Sequence, residues 1–566
     1  MSEKRSCTPD DKFDGSKPSV IERGGTLQGF VEGYNVPYII GSETDDRYNF
    51  GAADTELVQR KLKQRHIQMI AIAGTIGTGL FLGSGRAISG AGPLGALISY
   101  ALVGTVAYAT LCSVGEMASL APISGAFVHY AARWVDPALG FALGWMYFYG
   151  QAITIPVEIT ASQILITYWD TSEAHAIGYT VVICIAVCLS NVLGVQYFGE
   201  SEFIFAIIKL TLITGLLIAG LIIDLGGGPN HDRIGFRYWN NPGALARAGL
   251  VDNIATDRFI AIVATFVQAA FSFQGVELVA IAASETRNPR RNIAKAVRRV
   301  FWRIVVFYIL GIIMSGMLVP YNDVLLLNGS NTAAASPYVI AIQRAGIKAL
   351  PSVINAAIFT AALSAGNSYL FCSSRILHGL AVRGQAPRFL LYTTKAGLPI
   401  VAVFASCLFA PLAFMNLSAG STTVFNWFVS LATVGGFFCW ASINLTYVRF
   451  WQGHRAQGID RTLLPYHSRL QPWLAIWGFC WTIIFILVNG FTVFFPEQWN
   501  LSNFLTAYIN LPIFAALYIG YKVMKRTRFW RASEMDFLRG IPCLEETEEP
   551  EHPPKNLGEK IFNAVF

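Results

Sequence analysis

The chain has 566 residues, of which 54% are hydrophobic and only 14% are charged. Soluble domains carry about 25% charged residues, so this composition excludes a soluble globular protein and indicates one that crosses a membrane many times. The formal net charge of +7 is then expected in loops at the membrane surface. It predicts contact with membrane lipid and no nucleic-acid partner.

The two ends of the chain are polar. Residues 1–60 contain no apolar stretch of the kind that a signal peptide needs. We predict a disordered cytoplasmic tail over residues 1–66, a transmembrane domain over 67–525, and a cytoplasmic C-terminal tail over 526–566. The cysteines show no metal-binding spacing, so we expect no metal site.

Between the tails, about 12 apolar stretches have the length that a bilayer requires, about 20 residues. The sequence therefore predicts an all-α polytopic membrane protein with about 12 transmembrane helices. Basic residues are concentrated in alternate loops, which predicts that both termini are cytoplasmic. The predicted spans are 68–88, 94–115, 139–168, 176–196, 203–223, 259–284, 302–320, 351–380, 397–415, 423–447, 474–494 and 503–524.

The first span is rich in glycine. Gly74, Gly77, Gly79, Gly83 and Gly85 lie in one apolar stretch, and each costs a helix about 1 kcal/mol relative to alanine. A break in mid-membrane frees main-chain groups that lipid cannot satisfy, so it is tolerated only where it lines a polar cavity. We interpret this stretch as a broken helix that binds an anionic group. Close helix packing through small residues is the alternative.

The sixth span is interrupted as well. Ser272, Gln274, Gly275 and Glu277 form a polar cluster in its middle. Spans one and six open two sets of five, and interruptions at corresponding positions indicate a transporter built from inverted repeats. We therefore predict a 5+5 inverted repeat with broken helices 1 and 6, followed by two C-terminal helices.

A substrate with a carboxylate and an ammonium group fits this pair of breaks. The second half of span one is predicted to start near Thr78 and Gly79, where N–H groups and a partial positive charge would hold the carboxylate. The first half of span six is predicted to end near Phe273, where free carbonyl groups would accept from the ammonium. Phe271 and Phe273 are expected either to close over the substrate or to pack as ordinary core or lipid-facing aromatics.

Four ionisable residues lie inside the predicted spans, where their burial is costly and marks them as functional hypotheses. Glu116 lies in span two, Glu158 in span three, Lys209 in span five, and Glu277 just after the break in span six. Because burial disfavours the charged form, we predict that they take up and release protons or act as gates. The alternative is a static ion pair or, for Glu116, a packing role.

Span eight carries a face of small and polar residues. Ser364, Asn367 and Ser368 are predicted to line an inner cavity, or else to hydrogen-bond between helices. No nucleophile–base pair, nucleotide-binding loop or metal cluster is visible in the sequence. We therefore expect a protein that is not an enzyme and that requires no cofactor.

Four blocks of sequence resemble the fungal amino acid permease family, within the amino acid–polyamine–organocation superfamily. They are residues 65–81, 89–119, 275–290 and 364–368. The resemblance implies the inverted-repeat fold, a location in the plasma membrane, and proton-coupled uptake of amino acids. It also implies roles for individual residues: a carboxylate site at Thr75, Gly77, Thr78 and Gly79, contacts with the amino group and side chain from Phe273, Gln274 and Gly275, and proton coupling through Lys209.

The loop over residues 226–239 is similar to that of dicarboxylic amino acid permeases, which implies acidic substrates such as glutamate and aspartate. The buried negative charge of Glu158 disfavours such substrates unless it is protonated, so a neutral or broad substrate range stays open. A sensor that binds amino acids without transporting them is a further alternative. Family members are often removed from the membrane by ubiquitin-ligase machinery, for which Lys4, Lys12 and Lys17 are available.

Overall fold

A computed structural model describes residues 77–122, 126–170, 172–192, 195–278, 289–327, 336–347, 349–394, 397–496, 498–537 and 541. Within these ranges the regular secondary structure is helical. Several predictions from the sequence lie outside the described residues. They concern Thr75, the part of span one before Gly77, the end of span six after Leu278, and the N-terminal lysines.

Eighteen α-helices are numbered here in chain order. They are α1 (Thr78–Phe81), α2 (Gly83–Leu120), α3 (Ala126–Trp134), α4 (Pro137–Ile166), α5 (Glu173–Val192), α6 (Val195–Asp224), α7 (Ile254–Phe273), α8 (Pro289–Arg303), α9 (Leu310–Leu318), α10 (Val324–Leu327), α11 (Pro337–Arg344), α12 (Leu350–Val382), α13 (Ile400–Cys407), α14 (Asn416–Ala419), α15 (Ser421–Ala456), α16 (Trp473–Val488), α17 (Leu501–Tyr508) and α18 (Asn510–Lys525).

In the part of the chain that the structure describes, nine helical segments are long and apolar enough to cross a membrane. One of them, Thr78–Leu120, combines parts of the first two predicted spans. Gly92 divides it, because its φ of 78° and ψ of 170° are not helical and Pro93 follows directly. The stretch predicted as span nine forms only a short helix, α13, followed by a tighter turn over Ala410–Met415. The exact number of spans therefore stays a prediction.

Helix α4 lies at the centre of the described fold. It has 30 residues, nearly all buried, and packs extensively against α12 and α15. It is nevertheless absent from the nine apolar segments, because its buried surface includes polar side chains such as Gln151, Thr154 and Glu158. A helix surrounded by other helices does not need to be as apolar as one that faces lipid, and polar groups inside it mark functional positions.

Other helices expose apolar side chains at the periphery. On α5, Val182, Ile185 and Leu189 are each more than half exposed. In the segment Leu501–Lys525, only 11% of the most apolar 18-residue stretch is buried. Contiguous apolar surface of this extent is incompatible with water and is expected to contact the hydrocarbon of the bilayer.

The first part of the predicted C-terminal tail is packed against the helices. We call residues 526–537 the C-terminal strap. Trp530 donates hydrogen bonds from its main-chain N–H to the Val135 carbonyl (3.0 Å) and from its indole to the Ala132 carbonyl (2.9 Å). The Phe537 ring lies 4.4 Å from the His454 ring at the end of α15. The strap therefore contacts α15 and the residues at and after the end of α3.

Gly453 should be sensitive to substitution because the strap lies directly over it. A Cβ atom at this position would lie 2.6 Å from Met535 Sδ and 2.7 Å from Phe537 Cζ. We expect Gly453→Ala to displace the strap at a cost of about 1–3 kcal/mol. The change should appear as a lower melting temperature of the detergent-purified protein.

Gly379 offers a matched control, because it is also helical and has no neighbour within 4 Å of an added Cβ. Gly379→Ala should leave the melting temperature unchanged or slightly raised, since alanine is the better helix former. Equal melting temperatures for Gly453→Ala and the unsubstituted protein would contradict the packing of the strap.

Candidate functional site

The residues at which the sequence predicts the two interruptions lie against each other in the structure. Gly77 is extended, with φ −126° and ψ −163°, and α1 begins at Thr78. On the other element, α7 ends at Phe273, and Gly275 has a φ of 85° that turns the chain. Ser272 Oγ donates a 2.7 Å hydrogen bond to the Gly79 carbonyl, so the start of α1 lies against the end of α7.

Gly79 allows this close approach. A Cβ atom there would lie 2.8 Å from Ser272 Cα and 3.1 Å from the Phe271 ring, distances that real Cβ contacts rarely or never reach. Close packing through small residues, the alternative considered for this stretch, is therefore present at Gly79. Gly79 also lies in the first turn of α1, so close packing and main-chain N–H groups without a partner in the helix occur at the same place.

Gly77 differs from Gly79. A Cβ atom at Gly77 would have its nearest neighbours at 3.8 Å, the Ala365 Cβ and a Glu158 oxygen. Its φ of −126° is open to any residue. Gly77 thus borders space beside the Glu158 carboxylate, whereas Gly79 is held by packing.

Aromatic and amide side chains at the end of α7 are tightly packed. The Phe273 ring stacks on the Tyr308 ring with centroids 4.5 Å apart, and the Phe271 ring lies 6.3 Å from that of Phe425. The Gln274 amide donates to the Thr433 carbonyl (3.3 Å) on α15. Phe273 and Gln274 are therefore engaged with neighbouring elements in this structure.

Glu158 lies at the break in span one. Its carboxylate is buried, and both oxygens lie 3.0 Å from the donating hydroxyl of Thr78. Thr78 is the first residue of α1, and Glu158 projects from the central helix α4. The structure thus brings together a residue predicted for substrate binding and one predicted for proton coupling.

Lys209 is buried on α6 between two acidic residues. It interacts electrostatically with Glu158 and with Glu202, which lies seven residues earlier on the same helix. The sequence did not mark Glu202 as a candidate, because span five was predicted to begin at 203. The available signal was its spacing, since residues seven apart fall on one helical face.

The Glu202 carboxylate is held by α12. Ser364 Oγ lies 2.9 Å and 3.1 Å from its two oxygens, and Asn367 donates to it at 3.3 Å. The side-chain oxygen of Asn367, Oδ1, accepts from Ser190 and Asn191 on α5, each at 2.6 Å. Ser364 and Asn367 therefore bond between helices, the alternative to a cavity wall, and Ser368 is buried beside them.

Glu277 lies beyond the end of α7 and is fully buried. The Trp440 indole donates to its Oε2 at 3.1 Å. Its Oε1 has no hydrogen-bond partner among the described residues. The buried Tyr369 interacts electrostatically with both Glu158 and Glu277, so both carboxylates lie in its neighbourhood. The Tyr147 hydroxyl also interacts with the Glu277 carboxylate.

Glu116 is separate from this group. Its carboxylate accepts from the Tyr447 hydroxyl (2.8 Å) and the Ser468 N–H (3.1 Å), and it forms an ion pair with Arg461 at 3.0 Å. Arg461 and Ser468 lie in the loop between α15 and α16, so Glu116 anchors that loop. The structure thus places Glu116 in a satisfied anchoring network, consistent with the packing alternative.

The fold is similar to that of a known membrane transporter. A crystal structure of a mutant manganese transporter from Eremococcus coleocola matches 82% of this chain and 93% of its own, with a TM-score of 0.51. The sequence identity is 12%, so this similarity concerns the fold alone.

The sequence comparisons define the family. The amino acid permease family model matches residues 66–534. The dicarboxylic amino acid permease of Saccharomyces cerevisiae is 41% identical over 88% of this chain and 83% of its own. The proline-specific permease of the same yeast is 40% identical over 91% and 84%. The chain belongs to the amino acid permease family, which confirms the resemblance seen in the sequence. It is an integral membrane protein that transports amino acids.

Gly77 and Gly79 should respond differently to alanine. Gly77→Ala fits the available space, so we expect normal folding and surface expression with reduced amino acid uptake, since the added methyl group borders the Glu158 carboxylate. Gly79→Ala should lose surface expression as well, because it forces α1 away from α7. Surface labelling and uptake measured on the same cells separate the two effects. Normal surface expression of Gly79→Ala would contradict the packing described for it.

Proposed function

We propose that the protein takes up amino acids together with protons across the plasma membrane, with both termini in the cytoplasm. The observation that carries this proposal is the hydrogen bond from Thr78 to Glu158. It joins the start of α1 to a buried carboxylate that shares an electrostatic network with Lys209. A change in the protonation of Glu158 would therefore alter the hydrogen bond at the start of α1.

The substrate is proposed to bind where the two interrupted elements meet. The first N–H groups of α1, at Gly77, Thr78 and Gly79, have no carbonyl acceptor within their own helix and would hold the substrate carboxylate. The last carbonyl groups of α7, near Phe273, would accept from the ammonium group. Thr75 would complete the carboxylate site.

Proton coupling is proposed to proceed through Glu158, Lys209 and Glu277. Glu158 accepts a hydrogen bond from Thr78 at the start of α1, and Glu277 is buried just after the end of α7. A carboxylate that is buried beside a zwitterion site can accept a proton when the substrate enters and release it when the substrate leaves. Glu116 is proposed to contribute only by holding the loop that follows α15.

The substrate class is proposed to be acidic amino acids, on the basis of the loop at 226–239 and the dicarboxylic relative. Neutral or broad specificity is the second candidate, favoured by the charge around the site. Glu158, Glu202 and Glu277 are buried near the site, and Lys209 interacts electrostatically with Glu158 and Glu202. This excess of negative charge opposes a substrate carboxylate unless protons accompany it.

Uptake should depend on the proton gradient. In cells that lack their own permeases, expression of this chain should produce uptake of labelled L-glutamate or L-alanine that increases as the external pH falls. A protonophore should abolish it. Uptake that is indifferent to the protonophore would refute coupling, and binding without uptake would favour a sensor.

Lys209→Ala should uncouple uptake from protons. Removal of the ammonium leaves Glu158 without its cationic neighbour, so the ratio of uptake at low and neutral external pH should fall toward one. The matched control is Lys525→Ala at the end of α18, far along the chain from the site, whose ratio should equal that of the unsubstituted protein. An unchanged ratio in Lys209→Ala would exclude Lys209 from coupling.

Competition experiments should identify the substrate class. Each common amino acid is added in excess over labelled substrate, and inhibition of uptake is measured. Acidic specificity predicts inhibition by glutamate and aspartate alone, with a steeper dependence on external pH than for a neutral substrate. Inhibition by many neutral amino acids would establish the second candidate instead.

A further inference from the structure

We propose that Glu202 is a positioning residue for proton coupling, which holds the Lys209 ammonium within reach of Glu158 and itself keeps its charge throughout the transport cycle. The inference rests on the proposed proton-coupled function and assigns different roles to two buried carboxylates. Glu202 stays ionised beside Lys209 throughout the cycle, whereas Glu158 gains and loses a proton.

The two carboxylates are held in different ways. Glu202 accepts hydrogen bonds from Ser364 and Asn367, and Asn367 is in turn bonded to Ser190 and Asn191. Two helices, α12 and α5, therefore fix its orientation. Donors of this kind stabilise an ionised carboxylate. Glu158 has one hydroxyl donor among the described residues, that of Thr78 at the interrupted end of a helix.

Glu202 is shielded from water, with only 1% of its surface exposed. One turn before it on α6 lies Phe198, which stacks on Phe371 of α12 with ring centroids 3.8 Å apart and an interplanar angle of 2°. Phe371 follows Asn367 by one turn, so the aromatic pair forms a layer beside the polar one. The electrostatic interaction between Glu202 and Lys209 is strengthened in such a dry environment.

Glu158, Glu202 and Lys209 together carry two negative charges and one positive charge when all three are ionised. The groups that face Glu202 are Lys209 from its own helix and Ser364, Asn367 and Ser368 from α12. Glu158 on α4 also interacts electrostatically with Lys209. With Glu202 and Lys209 cancelling each other, Glu158 carries the remaining negative charge. One proton on Glu158 neutralises the trio, and its loss restores the charge.

Glu202→Gln keeps the shape of the side chain and removes its charge. Lys209 is then drawn to Glu158 alone, and the two form a static pair that a proton no longer enters. We expect uptake of labelled L-glutamate and L-alanine to fall about tenfold or more, which corresponds to about 1.4 kcal/mol or more. The ratio of uptake at low and neutral external pH should approach one.

Glu200 provides the control. It lies on the same helix, two residues earlier, and is exposed. Glu200→Gln removes the same charge from the chain and should leave both the rate and its pH dependence unchanged. A pH profile in Glu202→Gln like that of the unsubstituted protein would overturn the proposal.

A double-variant cycle tests whether Glu202 acts through Lys209. Lys209→Met combined with Glu202→Gln should be no worse than Lys209→Met alone, because the residue being positioned is already gone. Additive losses would show that Glu202 acts independently and would overturn the proposal. If Glu202→Gln fails to reach the surface, Ser364→Ala removes one donor only and should shift the pH profile in the same direction.

The same cycle measured as melting temperature separates this inference from the proposed function. If the unsubstituted protein transports without protons, the proposed coupling fails in the uptake assay. Non-additive melting temperatures of the purified single and double variants would still show that Glu202 and Lys209 are coupled. Additive changes in both melting temperature and uptake would show that Glu202 and Lys209 are not coupled, and would overturn the proposal.

Discussion

A buried ammonium group between two carboxylates is the constraint on which the described structure depends. Lys209 and Glu202 lie on α6 and Glu158 lies on α4, and the low dielectric makes any unmatched charge among them costly. The surrounding polar residues follow from this need. Helix α12 supplies donors to one carboxylate, and the interrupted start of α1 supplies a donor to the other. The Glu202 carboxylate is fixed by hydrogen bonds from α12, whereas the Glu158 carboxylate is bonded to the start of α1.

The sequence predicted the general architecture well, because apolar length and charge exclusion are direct consequences of the bilayer. It also predicted a helix start near Thr78 and a helix end near Phe273, where α1 begins and α7 ends, since lipid does not tolerate a glycine-rich or polar break unless protein surrounds it. It could not assign a single cause to Gly79. Packing against Ser272 and exposure of main-chain groups both select glycine, and only the 2.8 Å approach separates their contributions.

Individual side-chain partners were harder to predict, because they depend on contacts between residues far apart in the chain. Glu202 was missed at a span boundary, although its partners Ser364 and Asn367 were recognised as a polar face. Glu116 was grouped with the coupling residues because it is buried and acidic. Its ion-pair partner Arg461 comes from the far end of the chain, and the sequence offers no means of pairing the two.

The C-terminal strap connects regions that are far apart in sequence. It is bonded to the main chain at Ala132 and Val135, next to α3, and Gln457 at the end of α15 donates to the carbonyls of Ala532 and Met535. These regions belong to different halves of the predicted repeat. If the region around α3 moved away from the end of α15, the strap would have to detach from one of them or extend. The strap therefore limits how far these two regions can separate.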